Sequence, residues 1–81
     1  MSRRPKTSNA EEIILRAAES WPSKILTRQQ VSIFSGGLVA PGTLANADSQ
    51  GVGPENAFKV GRHVAYPIES VTAWLISRLS V

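Results

Sequence analysis

The chain has 81 residues, of which 42% are hydrophobic, 19% charged and 6% aromatic, with no Cys and a single His. A chain of this size buries only about 60% of its unfolded surface, so one small packed domain is expected and a deep catalytic cleft is not. Without Cys there are neither disulfides nor thiolate ligands, and His63 alone supplies neither a histidine zinc cluster nor the partners of a hydrolytic triad. A non-enzymatic protein without cofactor or metal is the expected class.

The formal charge of +3 is unevenly spread. Arg3, Arg4 and Lys6 open the chain. The middle sets Arg16, Lys24 and Arg28 against Glu11, Glu12, Glu19, Asp48 and Glu55. The end sets Lys59, Arg62 and Arg78 against Glu69. A basic start, an acidic middle and a basic end fit a polyanion touched at two places.

Residues 1–8 read as a flexible basic arm without periodicity. No apolar run follows it that would make a signal peptide, and nowhere are 18 residues apolar in succession, so a cytoplasmic protein without a membrane span is expected. Ser8 and Glu11 have the spacing of a capping box, which starts a first helix over 9–21. Ile13, Ile14, Ala17, Ala18 and Trp21 form its apolar face, and Pro22 ends it.

Thr27 and Gln30 repeat the capping-box spacing and open a second helix. Val31 and Phe34 point inward, with Ile33 at the edge of that face, and Gly36 and Gly37 stop the helix. Pro41 suits the first position of a third helix, which runs to Gln50 and closes at Gly51. Leu44 and Ala47 are its inner residues. Thr43, Asn46, Ser49 and Gln50 lie outside, on a side that is polar and nearly uncharged. Ala40, at the cap position, has no oxygen to offer, which costs the helix start about 1 kcal/mol.

Ala57–Val60 and His63–Tyr66 alternate as two strands, and Gly61-Arg62 between them matches a type II′ hairpin turn. Pro67 then leads into a last helix with Glu69 in its first turn and Val71, Trp74, Leu75 and Leu79 along one stripe. Trp74, Tyr66, Phe58 and Phe34 are expected in the core, with Trp21 sealing the first helix onto the last. The layout is mainly α with a small β-hairpin: helix, helix-turn-helix, two-stranded hairpin, C-terminal helix, in one domain over 9–81.

In order along the chain stand LTRQQVSIFSGG (26–37), GTLANADSQGVGP (42–54), VGRHVAYP (60–67) and ESVTAWL (69–75). These segments carry the Thr43–Leu44 pair, the Gly51-x-Gly53-Pro54 turn, the Val60-Gly61-Arg62 tip, and Tyr66 followed by Ala73-Trp74-Leu75. The combination resembles the phage excisionases and AlpA-like regulators, whose DNA-binding domain is similar to that of MerR-type activators. The resemblance implies a winged helix-turn-helix, with the third helix in the major groove and the hairpin as a wing along the phosphates. It further implies a protein that binds double-stranded DNA in excision or transcription regulation, in several cooperative copies or as a homodimer, beside an integrase or RNA polymerase.

The residue chemistry names the contacts. Arg62 at a hairpin tip can grip a phosphate bidentately, Lys59 adds a second contact and His63 a third. Arg28, in the first turn of the second helix, can reach the backbone. Thr43 and Asn46 face base edges, Asn suiting adenine, while Ser49 and Gln50 near the helix end are directed to phosphate or solvent. Asp48 is an obstacle: beside a phosphate it repels by about 1 kcal/mol or more before screening. Affinity is therefore expected mainly from the wing, Arg28 and Arg3, Arg4 and Lys6. The alternative function is a protein-interaction module of the same fold that docks an integrase, a polymerase or a second copy, with DNA contact weak or lost.

Overall fold

Four helices and a three-stranded antiparallel sheet make up residues 6–79, the part of the chain that the computed structural model describes. The elements are α1 (Lys6–Ser20), β1 (Ile25–Thr27), α2 (Arg28–Phe34), α3 (Pro41–Ser49), β2 (Phe58–Val60), β3 (His63–Pro67) and α4 (Ile68–Ser77). No helix among the described residues is long and apolar enough to cross a membrane.

α1 begins at Lys6, so Ser8 stands inside the helix rather than at its cap, and only residues 1–5 of the expected arm lie outside the described residues. Its inner face is narrower than its apolar residues suggest: Ile14, Ala17 and Ala18 are partly buried, whereas Ile13 is 67% exposed and Leu15 is also on the outside. A helix places consecutive residues about 100° apart, and here the packed stripe follows Ile14. Trp21, just past the helix, meets the edge of Phe34 at a ring-centroid distance of 5.2 Å. It thus packs edge-on against α2 as well as against the core to which α4 contributes Ile68, Val71 and Trp74.

α2 opens on the expected capping box. Thr27 Oγ1 accepts from the Gln30 amide at 3.2 Å, and Gln30 Oε1 accepts from the Thr27 amide at 3.0 Å. Both α2 and α3 close in the same way. The Gly36 and Gly37 amides donate to the Ile33 and Ser32 carbonyls, and those of Gly51 and Val52 donate to the Asp48 and Ala47 carbonyls. This is the Schellman pattern, which satisfies the last carbonyls of a helix. Pro41 begins α3 without a side-chain cap at Ala40. Ile33 is 68% exposed and takes no part in the core.

The sheet order is β1-β3-β2. The hairpin β2–β3 pairs Val60 with His63 across Gly61-Arg62. Gly61 has φ +63° and Arg62 is not among the positive-φ residues, as a type II′ turn requires. β1 adds a third strand that the sequence pattern did not reveal, with Leu26 opposite Tyr66; both are fully buried. Residues directly opposite each other share a sheet face, and successive residues alternate. Phe58 pairs with Ala65, so it lies on the opposite face from Tyr66. Phe58 is 38% exposed and not a core residue, like the rest of the edge strand β2, all of which is exposed.

The core joins Leu26, Val31, Val39, Leu44, Ala47, Tyr66, Ile68, Val71 and Trp74, with Phe34, Trp21 and Leu75 packed against it. α4 starts where Pro67 ends β3, and its Ile68 amide donates to the Lys24 carbonyl at 2.8 Å. Trp74 both fills the core and donates its indole N–H to the Val52 carbonyl at 2.7 Å, tying α4 to the turn after α3. The Arg78 guanidinium covers the same ring at 4.7 Å.

Candidate nucleic-acid interface

The solvent side of α3 consists of Thr43, Asn46, Ser49 and Gln50, all exposed. Leu44 and Ala47, its buried residues, fix which way the helix is turned. Among the described residues the side chains of Thr43, Asn46 and Gln50 have no hydrogen-bond partner, while Ser49 Oγ donates back to the Asn46 carbonyl at 3.2 Å. Thr43, Asn46 and Gln50 thus present free donors and acceptors, and Ser49 is partly committed to its own helix.

The hairpin presents a different surface. Lys59, Arg62 and His63 are exposed, and among the described residues neither Lys59 nor Arg62 has an ion-pair partner. Two clefts lead from the hairpin to the helices. Thr27, Arg28, Gln29, Arg62, His63 and Val64 line one. Arg28, Asp48, Ala57, Phe58, Lys59 and Val64 line the other. Arg28 belongs to both, so the expected contact residues Arg28, Lys59, Arg62 and His63 gather around one place where α2, the end of α3 and the hairpin meet. Thr43 and Asn46 line neither cleft. Arg3 and Arg4 lie outside the described residues, as does the side chain of Lys6.

Arg28 is not the free helix cation that its position in the sequence suggests. Its Nη2 donates to Asp48 Oδ2 at 2.7 Å and its Nε donates to the Tyr66 hydroxyl at 2.9 Å. The hydroxyl in turn donates to the same Asp48 oxygen at 2.5 Å. Three residues from α2, α3 and β3 close a ring of hydrogen bonds, with the Arg28 and Asp48 side chains 29% and 21% exposed. The hydrogen bond to Asp48, followed by that to Tyr66, pushes the Arg28 pKa further above its ordinary value. The Tyr66 hydroxyl is pushed up first by burial and then by its hydrogen bond to Asp48.

This ring changes the meaning of Asp48. Taken by itself the carboxylate is a repeller on the third helix; in the fold its charge is matched by Arg28. Asp48 and Tyr66 are the site residues that sequence reasoning missed. One signal was within reach. A Cβ built on Gly53 would overlap Asp48 Oδ1, so the second glycine of the Gly51-x-Gly53-Pro54 turn makes room for an inward-turned carboxylate. Among the described residues no group of His, Asp and Glu is arranged to hold a metal ion.

Comparison of the chain with protein-family models, with curated proteins and with solved structures finds no match.

Proposed function

We propose that the chain is a non-enzymatic DNA-binding protein of the winged helix-turn-helix kind, acting in excision or in transcription regulation. In this reading α2 and α3 are the helix-turn-helix, α3 enters the major groove and the β2–β3 hairpin is the wing on the phosphate backbone. One observation carries it. An exposed hairpin with unpaired Lys59 and Arg62 shares a cleft with the end of a helix whose outer side is polar, uncharged and open. Unpaired cations on an exposed hairpin suit phosphate oxygens, and an open side with Thr43 and Asn46 suits base edges. The ion pair of Asp48 with Arg28 offsets the repulsion expected of its carboxylate.

With roughly four to six phosphate contacts, log K for duplex DNA is expected to fall with log salt at a slope of about −4 to −5. Fluorescence titration of a labelled duplex at two salt concentrations measures it. Absence of salt-sensitive binding at low ionic strength rejects the proposal.

A second reading has its own observation. Ile13 and Leu15 are exposed on α1, and a mainly apolar groove between α1 and α4 is lined by Leu15, Ala18, Ile68 and Ile76, with Glu19, Lys24 and Glu69 also bordering it. Exposed apolar surface of this sort favours protein contact, with an integrase, a polymerase or a second copy as partner. Docking of that kind is indifferent to Arg62→Ala.

A further inference from the structure

The Arg28 guanidinium has five N–H donors in a planar fork. Its Nε/Nη2 edge is occupied by the Tyr66 hydroxyl and by Asp48 Oδ2. Among the described residues its Nη1 has no partner, and the side chain keeps 29% of its surface in solvent. The Nη1/Nη2 end of the fork is therefore unspent, and Arg28 lines the cleft that Arg62 and His63 line from the hairpin. An arginine on a solvated helix loses rotamer freedom when it grips an anion. Arg28 has already lost that freedom to its two internal partners.

We infer that the cleft between the first turn of α2 and the hairpin tip seats one backbone phosphate, with Arg28 as its fixed wall and Asp48 and Tyr66 as the positioning residues that hold Arg28 there. The inference rests on the proposed DNA binding and specifies how one part of that surface works. Arg62 supplies a mobile cation from the tip, and Arg28 supplies a donor pair whose direction is set from behind. Asp48 thus serves a phosphate contact by orienting Arg28, although it is itself an anion.

The sign of one effect separates this role from plain electrostatics. If Asp48 only repels phosphate, its removal tightens binding, and Asp48→Ala and Asp48→Asn do so alike. If Asp48 positions Arg28, the two variants part. Asp48→Asn retains an acceptor for Nη2 and for the Tyr66 hydroxyl while shedding the charge, so it binds a duplex at least as tightly as the wild type. Asp48→Ala leaves Arg28 unheld and binds roughly fivefold to tenfold more weakly, the loss expected when a phosphate-gripping arginine stops contributing.

Titrations of a fluorescent duplex with the full chain, at a temperature where circular dichroism shows each variant folded, provide the test. Should Asp48→Ala fail to fold, Tyr66→Phe takes its place. It weakens binding by a smaller factor, and that loss disappears when Arg28 is already alanine. Tightening by both Asp48 variants, or a Tyr66→Phe loss that persists without Arg28, overturns the inference and leaves DNA binding intact. A wild type without salt-sensitive binding brings down both.

Discussion

Arg28 and Arg62 line the same cleft, yet they belong to regions built on opposite plans. Arg62 stands at a two-residue turn, exposed and unpaired, carried by a strand whose residues are all exposed. Arg28 sits where α2, α3 and β3 meet, bonded to Asp48 and Tyr66 above a core that includes Leu44, Ala47 and Tyr66 itself. The held region sets directions; the tip brings charge. A change in the first should register in stability and in geometry together, whereas a change in the second should leave the fold untouched.

The largest expected effect falls on the held region. Trp74 is 7% exposed, packs in the core and supports the turn after α3 through the Val52 carbonyl. Trp74→Ala should lower unfolding stability by roughly 3–5 kcal/mol, read by urea or thermal denaturation. A loss under 1 kcal/mol would show that α4 does not brace this half of the molecule.

Gly53→Ala comes next. Its new Cβ must displace the Asp48 carboxylate, which breaks contacts with Arg28 and Tyr66. A cost of about 1–3 kcal/mol is expected, typical of overpacking in a fixed site. An unchanged denaturation midpoint would mean that the carboxylate moves aside freely and that the ring of hydrogen bonds is loose.

Tyr66 permits a direct view of that ring because it is the single tyrosine of the chain. Its pKa is raised above the ordinary value by burial, with the Asp48 hydrogen bond as the second cause. An alkaline absorbance titration should therefore give a midpoint above about 10, returning to about 10 in urea. The neutral phenol is favoured in the folded state, so its contribution is complete below the unfolded pKa and is lost as pH rises through the folded one. Asp48→Asn should lower the folded midpoint without abolishing the shift, since burial remains. A folded midpoint equal to the unfolded one would contradict the buried, bonded hydroxyl.

Much of this contrast was legible in the sequence wherever the determinants were local. Thr27 with Gln30, Pro41, the stops at Gly36 and Gly51, and the Gly61-Arg62 turn each act within a few residues, and each stands where its chemistry indicated. β1 was not legible. Ile25, Leu26 and Thr27 have no periodicity of their own and become a strand only by pairing with Ala65–Pro67. The same holds for the ring at Arg28, whose partners are 20 and 38 residues away. Phe58 failed for a related reason, since β2 pairs only with β3 at the edge of the sheet and all three of its residues stay exposed. For the candidate site, sequence reasoning named the cations and the outer side of α3 but took the carboxylate that holds Arg28 for an obstacle.

The tip gives the smallest effect on stability and the most direct test of the proposed function. Arg62 is exposed and unpaired, so Arg62→Ala should change unfolding stability by no more than about 0.5 kcal/mol. Duplex DNA titrated with wild type and with Arg62→Ala, each at low and moderate salt, is the decisive comparison. The account predicts affinity weaker by about 1–3 kcal/mol and a salt slope shallower by about one phosphate. Equal affinities and equal slopes for the two proteins would contradict it.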